Sequence, residues 1–413
     1  MERIILHSDC NSFYASVECA LNPTLKGKAI AVSGNPEKRH GIILTKSEEA
    51  KKFGVKTGEP IWQAKQKCPH LITVPPNFQK YIEYSKRAKE IYYSYTDMVE
   101  SFGLDEAWLD VTGSTKLFGN GVEIAKKISN RIKNELDITV SIGVSYNKIF
   151  AKLGSDYKKP DAITYIGKEN YKEIVWKLPA EDLLYVGKAT KIKLNKLGIF
   201  TIGQIANCPI NILRSHLGKW GEILHTFANG NDKSMVSLYN QQSSVKSISN
   251  STTTPRDLNS IEDVKIVMSV LADSVARRLR EQGLVCNVVG ISVRDSKLCS
   301  FTRQKHLIAS TDITSEILNT AMELIRESYN FKTPVRSVGI TACDLVSKAN
   351  GMQLSIFDDN IKRIKNERLD KATDSLKARY GDYIVMPALM LKDTAISSFN
   401  PKAEHTVHPV GFF

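Results

Sequence analysis

Phe102-Gly103-Leu104-Asp105-Glu106-Ala107-Trp108-Leu109-Asp110-Val111 sets two adjacent acids inside an apolar, β-prone run. Ionised carboxylates are costly to bury unless they are paired or bound to a cation, so an Asp-Glu pair within a strand pattern points to a divalent metal. The bland alternative is an edge-strand turn with solvated acids. The N-terminus weighs against it. Ile4-Ile5-Leu6-His7-Ser8-Asp9-Cys10-Asn11-Ser12-Phe13-Tyr14-Ala15-Ser16-Val17-Glu18 reads as a short buried strand that ends on Asp9 and runs into a helix. If the strand around Asp105 pairs beside it, Asp9, Asp105 and Glu106 converge, with no Lys or Arg in the same short runs to neutralise them. Such a cluster is stable chiefly when Mg²⁺ fills it, and two metals a few Å apart form the clamp used for in-line phosphoryl transfer.

The chain has 413 residues, too many for one ordinary core, which predicts about two to four domains. With 42% hydrophobic and 24% charged residues it reads as globular rather than disordered. A net charge of +13 favours a polyanionic partner, with nucleic acid the leading candidate, because Lys and Arg on phosphates release condensed counterions. The seven cysteines are scattered and form no Cys-x-x-Cys pair, so neither a zinc site nor a disulfide framework is expected. No signal peptide or membrane span is legible either, and a reducing cytoplasm is the expected location.

Up to about residue 166, strand and helix patterns alternate, an α/β layering in which one sheet can carry all three acids. Strands are expected at Arg3 to Ser8, Ala29 to Val32, Ile42 to Leu44, Val99 to Phe102, Trp108 to Val111 and Thr139 to Val144. Helices are expected at Phe78 to Tyr95 and Gly121 to Leu136. Thr45 to Val55 reads as a strand running into a helix N-terminus, where outward amides suit a triphosphate. An all-helical stretch follows. Within it, Leu183 to Thr190 and Leu197 to Gly203 suggest a helix-hairpin-helix flanked by Lys188, Lys191, Lys193 and Lys196. After a polar linker comes a βαββαβ order, that of a ferredoxin-like split motif. On it Arg303 and Lys305, two apart on a strand, share a face that Arg294 and Arg336 are expected to join.

Asp9 with Phe13-Tyr14-Ala15, the run Asp105-Glu106-Ala107-x-Leu109-Asp110-Val111, and Ser145-x-Asn147-Lys148-x-x-Ala151-Lys152 with Lys159-Pro160 resemble, in order and spacing, the motifs of Y-family translesion DNA polymerases. The resemblance implies an α+β, multidomain right-hand polymerase: palm in residues 1-22 and 77-166, fingers in 23-76, helical thumb in 167-235 and linker in 236-246. A βαββαβ little finger in 247-346 and a clamp-binding peptide with a C-terminal extension in 347-413 complete it.

The implied activity is template-directed DNA synthesis of low fidelity, two-metal transfer from dNTPs to a primer 3′-hydroxyl on primer-template DNA. Asp9, Asp105, Glu106 and the backbone carbonyl of Cys10 would hold two Mg²⁺. Phe13, Tyr14, Thr45, Lys51 and Lys159 match nucleotide-binding positions. Tyr14 matches the steric gate, whose ring fills the space of a ribose 2′-hydroxyl. Gly187, Lys188, Arg294, Arg303, Lys305 and Arg336 are the implied DNA contacts. Met352-Gln353-Leu354-Ser355-Ile356-Phe357 resembles the bacterial sliding-clamp peptide, anchored by Gln353, Leu354, Ile356 and Phe357. A cytoplasmic monomer is expected. Two departures stand out: many members have Tyr where this chain has Glu48, and Arg where it has Lys51. An acid repels a triphosphate, so Glu48 is expected to turn away, while lysine lacks the bidentate fork of arginine. The rival readings are a nucleotidyl cyclase or metal-dependent nuclease, and a non-catalytic, clamp-tethered DNA-binding adaptor with a polymerase fold.

Overall fold

The computed structural model describes residues 2–37, 39, 41–239, 245–350 and 360–401. The chain divides into two compact units, the first holding most of residues 2–239 and the second residues 245–350 and 360–401.

The first unit is organised by a five-stranded sheet. In chain order its strands are β1 (Ile5–Cys10), then β5 (Val99–Phe102), β6 (Glu106–Asp110), β7 (Val140–Ser145) and β8 (Ile163–Ile166), in spatial order β5-β6-β1-β7-β8. β1 is central and buried along its whole length, antiparallel to both β6 and β7. Alternate residues of a strand face opposite ways, and β1 uses both faces. Leu6 and Cys10 enter a core with residues of α4 (Phe78–Tyr93) and α6 (Gly121–Leu136), among them Tyr92, Ile124 and Ile128. Ile5, with Trp108 and Ala151, belongs to the opposite face, where α7 (Lys148–Tyr157) lies. α6 shows why a helix forms where the pattern predicts one: Ile124, Ile128, Ile132 and Leu136 repeat at i, i+4 and are buried, and an Asn120/Glu123 capping box closes its first turn.

A close approach seats α7 on the sheet. A Cβ on Gly143 of β7 would fall 1.9 Å from the carbonyl oxygen of Ala151, and one on Gly154 would fall 3.0 Å from the Cα of Gly143. Two glycines facing each other let helix and strand backbones touch. Side by side with the large sheet, β2 (Ile30–Ser33), β3 (Ile43–Lys46) and β4 (Ile72–Val74) form a small one in the order β3-β2-β4, with α1 (Phe13–Leu21), α2 (Glu48–Lys52) and α3 (Ile61–Lys67) in the same region of sequence. After the short α5 (Thr115–Phe118) and α8 (Tyr171–Ile174), the segment α9 (Lys188–Lys196), α10 (Ile202–Asn207), α11 (Ile210–Leu217) and α12 (Lys219–Ala228) is helical. α9 stops at Gly198, whose φ of +74° is the left-handed conformation that glycine adopts freely, and a Thr201/Gln204 capping box starts α10.

The β5 and α6 spans coincide with expectation. β1 does not: it continues through Asp9 and Cys10, because Asp9 pairs with Glu106 on one side and Ser141 on the other. The first residues of the expected linker pack on the first unit. Val236 is buried beside Ile5 and Trp108, Ser237 N donates to Glu100 Oε2 at 2.9 Å, and Tyr239 packs on Tyr93 with ring centroids 4.8 Å apart.

The second unit carries β9 (Ser247–Leu258), α13 (Ile261–Glu281), β10 (Leu284–Asp295), β11 (Ser300–Thr311), α14 (Thr314–Ser328) and β12 (Val335–Ser347), the expected element order. Its sheet runs β11-β10-β12-β9 with every neighbouring pair antiparallel. Each helix therefore joins two parallel strands with a third strand between them, a split β-α-β unit. The second and fourth strands are central, whereas in a ferredoxin-like sheet the first and third are, so the ferredoxin expectation holds for the connections and not for the strand order. The extension is built into this unit. On α15 (Asn360–Tyr380) Asp370 and Asp374 pair with Arg280, and Lys377 with Asp273. Ile396, on the short α16 (Thr394–Ser397), joins the core.

Replacing Gly143 by Ala forces α7 off β7 and is expected to lower the stability of the first unit by about 3 kcal/mol or more. The shift of its denaturant midpoint measures this, and an unchanged midpoint refutes the close-approach account.

Candidate active site

Antiparallel pairing of β1 with β6 makes Asp9 the direct cross-strand partner of Glu106, so both carboxylates leave the same face of the sheet. Cys10 N donates to the Asp105 carbonyl at 3.0 Å, which fixes the turn before β6 against the end of β1. Asp9 and the distant pair Asp105-Glu106 are thus backbone neighbours at one end of one sheet. Behind burial as first cause, the Asp105 charge raises the pKa of the Tyr14 phenol and the Cys10 thiol, and Asp105 is also coupled to Glu106 and Asp9, which face α7.

The face towards α7 also holds the cations. Lys152, Ser155 and Asp156 follow one another at i, i+3 and i+4 on α7 and so share a side of the helix. Lys152 Nζ lies 2.7 Å from Glu106 Oε2, 3.6 Å from Asp9 Oδ2 and 3.4 Å from Asp156 Oδ2. Lys159 Nζ lies 2.6 Å from Asp9 Oδ2 and 2.8 Å from Asp156 Oδ1. The neutralising lysines absent from the strand runs arrive from a helix and the loop after it. With Lys89 interacting with Asp105 as a third ammonium, the four carboxylates still outnumber the cations about them. Among the described residues no three His, Cys, Asp or Glu side chains are gathered in the geometry of a metal site, and Lys152 and Lys159 engage oxygens of Glu106 and Asp9.

The deficit of positive charge is visible in the titration of these groups. Burial, then the charges of Glu106 and Asp9, push the Asp105 carboxyl up to about 6. Burial and Glu106 raise Asp9, against the opposing pull of Lys159 and Lys152. Burial works against the charged forms of Lys152 and Lys159, yet the surrounding carboxylates overcome it and raise both. His7, two residues before Asp9 on the same face, is fully buried; burial and Lys152 hold its pKa well below the usual imidazole value, so it is neutral. Its Nδ1 is 2.8 Å from Ser155 Oγ and its Nε2 is 3.3 Å from Glu106 Oε2. Sequence reasoning quoted Lys152 in a motif without a role and missed His7, Ser155 and Asp156. The available signals were the i, i+4 spacing of Lys152 and Asp156 and the two-residue spacing of His7 and Asp9.

Tyr14 stacks on Tyr81 with centroids 4.3 Å apart and an interplanar angle of 14°, beside Phe13 and Phe78. Tyr81 is itself held by a hydrogen bond from its hydroxyl to Glu18 Oε1. The Tyr14 ring is therefore braced on one side. Thr45 lies on β3 as the partner of Val32, and Lys51 is an exposed residue of α2. The strand-to-helix turn expected there is present. Glu48 does not turn away as expected: it accepts a hydrogen bond from Ser12 Oγ at 3.0 Å and lies 3.5 Å from Lys51 Nζ.

Gly187 is the N-cap of α9 and Lys188 its first residue, both exposed. In the second unit Arg303 and Lys305 do share a face, but it is the face of their partners Ile291 and Val289, towards the helices, and Lys305 Nζ lies 3.0 Å from Glu323 Oε2 on α14. Arg294 pairs across to Ser300 and Ser337 and falls on the opposite face, so the four-residue basic face is not formed. Alternation along β10 decides this, since buried Val293 and exposed Arg294 must point opposite ways. Arg336 sits at the register shift between Val335 and Ser337. Gln353, Leu354, Ile356 and Phe357 lie outside the described residues. Among the described residues no helix is long and apolar enough to cross a membrane.

Comparison with known proteins identifies the family. Residues 8–156 match the impB/mucB/samB family and residues 245–356 its C-terminal domain. DNA polymerase IV of Acetivibrio thermocellus is 51% identical, covering 96% of this chain and 100% of the relative. DNA polymerase IV 1 of Bacillus subtilis is 39% identical, covering 96% of each. Among solved structures, the Y-family DNA polymerase chimera Dbh-Dpo4(243-245)-Dbh superposes with a TM-score of 0.73 at 26% identity, covering 83% of this chain and 99% of the chimera. The chain belongs to the impB/mucB/samB family, the Y-family DNA polymerases.

Lys152→Met removes the ammonium that faces Glu106 and leaves a buried carboxylate uncompensated. Stability is expected to fall by about 3 kcal/mol, read from denaturant unfolding. A loss no larger than that of an exposed pair refutes this pairing.

Proposed function

We propose that this chain is a template-directed DNA polymerase of low fidelity that acts in translesion synthesis, transferring nucleotides from dNTPs to a primer 3′-hydroxyl. The observation that carries the reading is the cross-strand pairing of Asp9 with Glu106 beside Asp105, in a chain half identical over nearly its full length to a DNA polymerase IV. The sheet with these acids is the palm, the small sheet the fingers, α8 to α12 the thumb, and the second unit the little finger.

The donor set suits two Mg²⁺. It consists of hard oxygens, it carries net negative charge, and the raised carboxyl groups of Asp105 and Asp9 gain from an added cation. Asp9, Asp105, Glu106 and the Cys10 carbonyl would hold the ions, which when bound lower the pKa of the primer hydroxyl and neutralise the leaving pyrophosphate. The residues of the chain do the positioning. Lys152 holds the Glu106 carboxylate from the α7 side, and neutral His7 packs 3.3 Å from it. Lys159, paired with Asp9 and Asp156, supplies positive charge to the triphosphate beside the same carboxylates, with Thr45 and Lys51 on the fingers side. Tyr14, braced on Tyr81, excludes a 2′-hydroxyl by shape. Gly187 and Lys188 contact a DNA phosphate through the start of α9. Arg303, Lys305, Arg294 and Arg336 supply positive charge from both faces of the second unit rather than from one. Residues 353–357 tether the polymerase to the sliding clamp, and replacing Leu354 and Phe357 by Ala should remove clamp-stimulated synthesis while distributive synthesis persists. The protein acts in the cytoplasm as a monomer.

Primer extension on undamaged and abasic templates with MgCl₂ tests the activity. Asp105→Asn is expected to lower incorporation at least about 100-fold while binding of primer-template stays within a few-fold, and chelation of the metal abolishes incorporation in the parent. Near-normal incorporation by Asp105→Asn refutes the metal assignment. Tyr14→Ala is expected to admit ribonucleotides at least about tenfold more readily, measured as the ratio of kcat/KM for dNTP and rNTP. An unchanged ratio means that the ring is not the gate.

A further inference from the structure

Ser12 caps the N-terminus of α1 with a left-handed φ of +47°, yet its side chain makes no capping bond to the helix. The hydroxyl donates instead to Glu48 Oε1 at 3.0 Å, while Glu48 Oε2 lies 3.5 Å from Lys51 Nζ. A second cation feels the same group. Burial and then Lys51 lower the pKa of Lys46, and the charges of Glu48 and Glu59 oppose them. Glu59 is occupied elsewhere, by Lys67 and the Lys56 amide, and Lys46 Nζ also donates to Thr57 Oγ1 at 3.0 Å. A hydroxyl donor and an ammonium thus hold the Glu48 carboxylate, with a second ammonium nearby, and the hydroxyl belongs to Ser12, three residues beyond Asp9 at the start of α1. These are the partners that an anionic phosphate oxygen takes.

We propose that Glu48 is an internal stand-in for a phosphate of the incoming nucleoside triphosphate, occupying Ser12 and Lys51 until the triphosphate displaces it. The proposal rests on the assignment of this corner to nucleotide binding. Displacement is a simple exchange of acceptors: Ser12 Oγ–H and Lys51 Nζ–H pass from carboxylate to phosphate oxygens, and Glu48, whose side chain is already one third exposed, turns to solvent. A carboxylate competing in this way weakens nucleotide binding without touching the chemical step. It also keeps the site's donors satisfied when no nucleotide is bound.

The test is steady-state single-nucleotide incorporation by the full chain on primer-template, with inorganic tripolyphosphate as a competitive inhibitor. Glu48→Gln keeps the shape and removes the charge. It is expected to lower KM for the dNTP and the inhibition constant of tripolyphosphate by roughly three- to tenfold, an effect of the size of one exposed ion pair with a hydrogen bond. Lys51→Ala is expected to raise both, and in the double variant the gain from Glu48→Gln should shrink, because the cation it frees is gone. Partial misfolding lowers kcat and moves neither readout. If Lys51→Ala raises KM while Glu48→Gln leaves it unchanged or raises it, the stand-in is refuted and the nucleotide site stands. If Lys51→Ala changes neither quantity, the nucleotide-site assignment itself falls.

Discussion

Gathering Asp9, Asp105, Glu106 and Asp156 at one end of a sheet is unfavourable until positive charge is brought to them, and the fold supplies it by laying α7 directly on β1 and β7. The facing glycines Gly143 and Gly154 make that contact possible. Lys152 then reaches Glu106, and Lys159, just past the helix, reaches Asp9. The balance is deliberately incomplete in its physical effect. Two ammonium groups hold the carboxylates in place, yet burial and mutual repulsion still push Asp105 up to about 6. A site in this condition favours any further cation that fits between its oxygens.

The proposed nucleotide side of the site follows the same logic with the opposite sign. Lys46, Lys51 and the Ser12 hydroxyl form a corner suited to an anion, and the chain places Glu48 in it. Tyr14, by contrast, is held by packing alone, stacked on Tyr81 and flanked by Phe13 and Phe78.

The second unit shows how far its tail has been absorbed. Arg280 is shared between Asp370 and Asp374, Arg256 between Asp263 and Asp393, and Lys348 between Asp312 and Glu367. With Ile396 buried in the core, the segment 360–401 adds a layer held by pairs that are partly shielded from water. The extension is structural in this unit, whatever else it serves.

Much was legible before any coordinates. Acids interrupting apolar runs singled out Asp9, Asp105 and Glu106, since only function or a cation justifies them there, and i, i+4 repeats fixed α6 to the residue. Period-two alternation also placed Arg303 and Lys305 on one face. Tertiary structure decided the rest, for a consistent reason: each point depended on a partner remote in the chain. The face that Arg303 and Lys305 occupy follows from the register of β11 on β10, and the exclusion of Arg294 from it follows too. Glu48 bonds to a residue 36 positions away. The lysines that answer the acids come from α7, whose seat depends on two glycines that mean nothing until strand and helix are in contact. Local sequence determines which groups must be explained, because their solvation and periodicity are local properties. Which group answers which is settled only when burial brings distant segments within a few Å, where Coulomb forces and packing choose the pairs.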